Sequence, residues 1–123
     1  MAQTIYIIED EADLSDALEV KLKDEGYTVF TEASAEIALL KIKEVMPDLV
    51  LLDLFTYSVH GIHFLERLRS DLSTQNIKCI ILTNIDHEGQ RKKAHELGAI
   101  DYLIKSETSL SKVVEAVKKA LEQ

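Results

Sequence analysis

Leu49-Val50-Leu51-Leu52-Asp53 is four consecutive apolar residues closed by a carboxylate. An amphipathic strand alternates apolar and polar side chains, whereas a strand covered on both faces is apolar without a break. Two more runs have this character, Ile5-Tyr6-Ile7-Ile8 upstream and Cys79-Ile80-Ile81-Leu82 downstream. Tyr27-Thr28-Val29-Phe30 and Tyr102-Leu103-Ile104 read as two further strands. Helical patterns fill the intervals. Leu14, Leu18 and Leu22 recur at i, i+4 and i+8, and Gly26 follows where a helix end favours positive φ. Ser34 is placed to cap a second helix carrying Ala38, Leu39, Ile42 and Val45, stopped before Pro47. Phe64, Leu65, Leu68 and Leu72 define a third helix, and a fourth runs from about Glu88 to Leu97, ahead of Gly98. Ser109 caps a fifth, with Leu110, Val113, Val114, Val117 and Leu121 on one face. Five β-α units in succession predict an α/β fold, a parallel sheet joined by right-handed crossovers with helices on both faces. Eight units would be needed to close a barrel, so an open doubly wound five-stranded sheet is expected.

Composition sets the outer bounds. The chain of 123 residues is 46% hydrophobic and 29% charged, which fits one globular domain over 1–123 and excludes a disordered spacer. Twenty-two acidic against fourteen basic residues give a net charge of −8, the wrong sign for direct nucleic-acid binding. The single cysteine, Cys79, lies in an apolar run and reads as a reduced core thiol of a cytoplasmic protein. No apolar run exceeds four residues, so no membrane span is expected, and the start of the chain has no signal-peptide character.

Ligands of open α/β sheets bind beyond the carboxyl ends of the strands. Strand one is followed by Glu9, Asp10 and Glu11, strand three by Asp53, strand four by Thr83 and Asn84, and strand five by Lys105. Strand two ends in Thr31-Glu32 without a comparable cluster. Any one of these has an ordinary explanation: Asp10 as a helix cap, Lys105 as a solvated lysine. Four strand ends together point to one crevice. Converging carboxylates repel and require a cation or a proton, and hard oxygen donors suit Mg²⁺. A lysine and a hydroxyl beside them suit a phosphoryl group.

Ile7-Ile8-Glu9-Asp10-Glu11, Leu51-Leu52-Asp53-Leu54, Ile81-Leu82-Thr83 and Gly98-Ala99-Ile100-Asp101-Tyr102-Leu103-Ile104-Lys105 resemble, in order, the motifs of the receiver (CheY-like) domain of two-component response regulators. The resemblance covers essentially the whole chain. It implies a flavodoxin-like sheet of order 2-1-3-4-5. It also implies a phosphorylatable switch that accepts a phosphoryl group from the phosphohistidine of a sensor histidine kinase or a phosphotransfer protein. Such a protein is not an enzyme in the ordinary sense, although it catalyses its own phosphorylation and dephosphorylation. Carried over by position, Asp53 is the phospho-acceptor; Asp10, Glu9, Asp53 and the backbone carbonyl of Phe55 hold Mg²⁺; Lys105 and Thr83 contact the phosphoryl group; Tyr102 is the switch aromatic. Phe55 and Ile85 flank the path of the attacking water and tune dephosphorylation. The surface of helix four, strand five and helix five relays the state to an output domain, a partner protein or a second copy. A binding-only receiver, folded but never phosphorylated, is the alternative. Glu9 replaces the commoner aspartate, Tyr57 and Ser106 stand where proline is usual, and His60 stands where a small polar or acidic residue is common. A trans Lys105–Ser106 bond is expected, because a cis bond before serine costs about 3–4 kcal/mol.

Other candidates have plainer readings. His60 and His63 are spaced as HxxH but lack a third zinc ligand. Arg91, Lys92 and Lys93, with His87 and His95 nearby, read as a solvated helix face, and Leu14 as core. A phosphatase of the haloacid-dehalogenase type would need an aspartate where Phe55 stands, and a flavodoxin's phosphate loop would not carry Glu9-Asp10-Glu11.

Overall fold

The structure, a computed structural model, describes residues 2–55 and 61–122; Tyr57 and His60, singled out above, lie outside the described residues. Strands β1 (Thr4–Ile8), β2 (Thr28–Glu32), β3 (Leu49–Leu52), β4 (Lys78–Thr83) and β5 (Asp101–Ile104) form one sheet. They alternate with helices α1 (Ala12–Asp24), α2 (Ala35–Val45), α3 (Gly61–Ser70), α4 (Glu88–Glu96) and α5 (Leu110–Leu121). The strand order is β2-β1-β3-β4-β5 and every pairing is parallel. The expected fold class and order are both present.

The unbroken runs have a direct cause. Successive side chains of a strand leave opposite faces of the sheet. Tyr6, Ile8, Val50, Leu52, Cys79 and Ile81 point to one face, where Ala38, Ile42, Phe64, Leu65, Leu68 and Ala94 of α2, α3 and α4 cover them. Ile5, Ile7, Leu49, Leu51, Ile80 and Leu82 point to the other, beneath Leu18 and Leu22 of α1 and Val113, Val117 and Ala120 of α5. Cys79 is buried in the first layer, and burial pushes its thiol up to about 12, so it stays protonated.

Local signals act as the residues suggest. The Ser34 and Ser109 hydroxyls accept from the N–H groups of Ile37 and Lys112, capping α2 and α5. Gly26, at φ +96°, ends α1 in the left-handed region. One expectation, and the ordinary reading of Asp10 as a helix cap, need correction. Helix α3 stops at Ser70, so Leu72 is not on its apolar face but 85% exposed in the turn beyond. The N-cap of α1 is Glu11 rather than Asp10, and its side chain makes no capping bond. Leu14 is partly buried against the second layer. His63, His87, His95, Arg91, Lys92 and Lys93 are exposed. Among the described residues there is no cis peptide, so the Lys105–Ser106 bond is trans, and no helix is long and apolar enough to cross a membrane.

Candidate functional site

Parallel register brings the strand ends to one edge. Ile8 pairs with Leu52, Leu52 with Ile81, and Thr83 with Ile104, so the residues after β1, β3, β4 and β5 emerge side by side. Strand β2 lies at the far edge, in agreement with its lack of a polar cluster. The N–H of Asp53 donates to the Ile8 carbonyl at 3.0 Å, extending the ladder one residue past β3 and seating Asp53 beside Glu9. Below it, helix α3 approaches very closely. The Gly61 N–H donates to the Leu54 carbonyl at 2.8 Å, and a Cβ at Gly61 would lie 2.6 Å from Leu54 Cα and 2.9 Å from the Asp53 carbonyl oxygen. Only glycine fits against that backbone.

Glu9 and Asp53 are 4% and 5% exposed. Charged carboxylates at that depth need compensation. Lys105, delivered by the end of β5, supplies it. Its Nζ lies 2.8 Å from Glu9 Oε1, 2.9 Å from Glu9 Oε2 and 2.8 Å from Asp53 Oδ2, with Glu11 Oε1 at 3.5 Å. Two backbone donors add to this: the Glu11 N–H to Glu9 Oε2 at 3.0 Å and the Phe55 N–H to Asp53 Oδ1 at 3.1 Å. Burial alone would lower the Lys105 ammonium pKa, but hydrogen bonds to Asp53 and Glu9 outweigh it and raise the value. Burial pushes Glu9 up to about 7, with the hydrogen bond from Lys105 pulling the other way and the Asp53 charge adding to the rise.

Carboxylate oxygens of Glu9, Asp10 and Asp53 lie within 4.8 Å of one another and could hold a metal ion. Three hard oxygen donors, of which Asp10 and Asp53 line an open cavity, fit Mg²⁺, which keeps several waters. The cavity is lined by Asp10, Glu11, Asp53, Phe55, Thr83, Asn84, Ile85 and Lys105. Thr83 is buried and its hydroxyl accepts from the Ile85 N–H at 3.3 Å. The Tyr102 hydroxyl donates to the Ile85 carbonyl at 2.6 Å, and the Arg91 guanidinium sits 4.7 Å above the Tyr102 ring while pairing with Asp86 at 2.9 Å. The fold thus brings together Glu9, Asp10, Asp53, Phe55, Thr83, Ile85 and Lys105, with Tyr102 one hydrogen bond away. The motifs left unremarked two contacts: Glu11 beside Lys105, and the Ser106 N–H donating to Asn84 Oδ1 at 3.0 Å.

A raised Glu9 pKa has a definite consequence for the metal-free protein. The native state holds a proton on Glu9 that the unfolded chain has released, between the ordinary 4.5 and about 7. The stability associated with that proton is complete below the unfolded value and is lost as pH rises through the folded one. Urea unfolding in chelator should therefore show stability falling from pH 4.5 to 7 by on the order of 1 kcal/mol. Glu9→Gln should flatten that segment; a variant as steep as the parent would assign the slope elsewhere.

Residues 5–118 match the family model for the response regulator receiver domain. The chain belongs to the response regulator receiver family. A curated relative, the phosphate regulon transcriptional regulatory protein PhoB of Rhizobium meliloti (strain 1021), is 35% identical over 105 residues, 85% of this chain and 46% of that protein. PhoB of Escherichia coli (strain K12) is 31% identical over the same shares. The receiver domain therefore spans about half the length of the curated relatives it matches. Among solved structures, a DNA-binding response regulator of the LuxR family from Staphylococcus aureus superposes with a TM-score of 0.85 at 28% identity, covering 95% of this chain and 97% of that one. The BeF3-activated N-terminal receiver domain of Klebsiella pneumoniae RstA gives 0.87 at 25%, covering 98% and 100%.

Proposed function

We propose that this receiver domain is switched by phosphorylation of Asp53, with the phosphohistidine of a sensor histidine kinase or phosphotransfer protein as donor. The observation that carries the reading is the Lys105 ammonium, held 2.8 Å from Asp53 Oδ2 and 2.8 Å from Glu9 Oε1 at the floor of an open cavity. A carboxylate oxygen of Asp53 attacks phosphorus, the P–N bond breaks, and the imidazole leaves with uptake of a proton, giving an acyl phosphate. Transfer of this kind depends on alignment and charge neutralisation. Lys105 supplies a fixed positive charge at the acceptor, and the Phe55 N–H orients Asp53 through Oδ1. Mg²⁺ held by Glu9, Asp10, Asp53 and the Phe55 carbonyl would add charge neutralisation at the phosphoryl oxygens.

Thr83 and Tyr102 supply the readout. Both bond to Ile85, on its N–H and its carbonyl, so movement of the Thr83 hydroxyl toward a phosphoryl oxygen releases one end of the segment that Tyr102 holds at the other. The change reaches the surface of α4, β5 and α5. The curated relatives are named transcriptional regulators and one structural relative DNA-binding, which favours a DNA-binding output as the recipient.

Incubation with acetyl phosphate and Mg²⁺ followed by intact-mass measurement tests the reading. One phosphoryl group should add to the parent chain and none to Asp53→Asn. No addition to the parent would leave a binding-only receiver.

Lifetime of the phosphorylated state follows from the cavity walls. Phe55 is 68% exposed over the cavity and Ile85 half-buried beside it, and neither can hydrogen-bond a water. Water-positioning groups are worth at most about 10²-fold in such an indirect role. Phe55→Asn/Ile85→Glu should lose phosphate about 10–100-fold faster than the parent, roughly 1.4–2.7 kcal/mol in barrier. Decay assays without a partner, at equal Mg²⁺, measure this; equal rates would remove both side chains from control of water access.

A further inference from the structure

The β4–β5 ladder ends at the Thr83–Ile104 pair, one residue before Lys105. Lys105 then opens a single 3-10 turn, Lys105–Glu107, closed by Thr108, whose N–H reaches the Lys105 carbonyl at 3.4 Å and whose hydroxyl donates to the Ile104 carbonyl at 2.8 Å. The next rung beyond the sheet is made by a side chain. Asn84 Oδ1 accepts from the Ser106 N–H at 3.0 Å, joining the residue after Thr83 to the residue after Lys105. That bond exists because Ser106 has an N–H; proline, usual in the family at this position, has none.

We propose that Asn84 is a positioning residue for the site. Its amide oxygen extends the β4–β5 pairing by one rung and fixes the peptide that follows Lys105, so that the ammonium reaches Glu9 and Asp53 together. Asn84 does this from the cavity wall without contacting either carboxylate among the described residues. The Lys105 arm of the proposal stands on geometry; its consequence for phosphorylation rests on the reading of Asp53 given above.

The test measures Lys105 directly. Reductive methylation with formaldehyde, mapped residue by residue by mass spectrometry, reports how well each lysine amine is held. Lys105 should react about 3–10-fold faster in Asn84→Ala and in Ser106→Pro than in the parent, the size of one net hydrogen bond. Ser106→Ala, which keeps the N–H, should match the parent. In the Ser106→Pro background Asn84→Ala should add nothing, since the bond is already gone. Lys78, whose ammonium donates to the Ala120 carbonyl at 2.7 Å, serves as reference within the same chain. An unchanged Lys105 rate in Asn84→Ala, an equal effect of Asn84→Ala in the Ser106→Pro background, or an equal rise at Lys78 would each overturn the proposal. Acetyl phosphate labelling of the same variants should slow by a similar factor. If the parent takes no phosphoryl group, the switch reading fails while Lys105 methylation still decides the role of Asn84.

Discussion

Lys105→Ala is expected to destabilise the metal-free protein by about 3–5 kcal/mol at pH 8, the usual cost of removing one partner from a buried ion pair. The Lys105 side chain is 9% exposed and bridges Glu9 and Asp53, themselves nearly inaccessible. Its deletion leaves two carboxylates facing each other with only the Glu11 and Phe55 N–H groups in support. Two conditions should shrink the loss. Lowering the pH to 5 protonates Glu9, whose pKa already stands near 7. Adding Mg²⁺ supplies a replacement cation, contributing RT ln(1 + [L]/Kd), roughly 2.7 kcal/mol at about 100 Kd. Urea unfolding in chelator and in Mg²⁺, at both pH values, gives the four numbers. A variant as stable as the parent in chelator at pH 8 would show that the carboxylates do not need this cation.

Arg69→Ala should cost on the order of 3 kcal/mol, although Arg69 touches nothing in the candidate site. Its guanidinium donates to three carbonyls: Leu97 through Nε at 2.7 Å, and Gln75 and Ile77 through Nη1 at 2.9 and 2.7 Å. The Leu97 carbonyl belongs to the C-terminal end of α4, where positive charge is favourable. One planar group thus joins α3, the turn before β4 and the end of α4. Arg69→Lys should recover little, because an ammonium cannot reproduce the fork. Chemical denaturation measures both variants. A loss below about 1 kcal/mol for Arg69→Ala would mean that water replaces the guanidinium at those carbonyls.

Arg69 also marks where sequence reading stops. An arginine near the end of a helix, with Arg67 beside it, carries no periodic signal, and its three acceptors are backbone atoms that any residue presents. The elements were legible because burial on both faces leaves unbroken runs, as in Leu49–Leu52, and because Ser34 and Ser109 are helix caps by chemistry. The strand order was not legible from periodicity; it came with the family resemblance. Leu72 misled because the i+4 spacing from Leu68 continues the apolar stripe past Ser70, where the chain turns away. The polar strand ends pointed to one crevice, but the bridging of Glu9 and Asp53 by one ammonium depends on register and reach. Asn84 and Ser106 were visible as residues after β4 and after Lys105, yet a side-chain rung between two loops appears only once β4 and β5 are paired.

The sheet order carries a consequence for the newly made chain. Lys105 meets partners 96 and 52 positions earlier in the sequence, and it follows the last strand of this sheet to be synthesised. Chains emerge from the N-terminus, and contacts between distant positions must await closure of the intervening loop. Until residue 105 is out, Glu9 and Asp53 have no ammonium between them, and β3 has no β5 beyond β4 to bring one. The four earlier strands can pair while the acidic edge stays uncompensated. Charge balance from the chain's own ammonium is therefore a property of the finished sheet, and a truncated chain lacking β5 would carry the acceptor carboxylate without the lysine that sits against it.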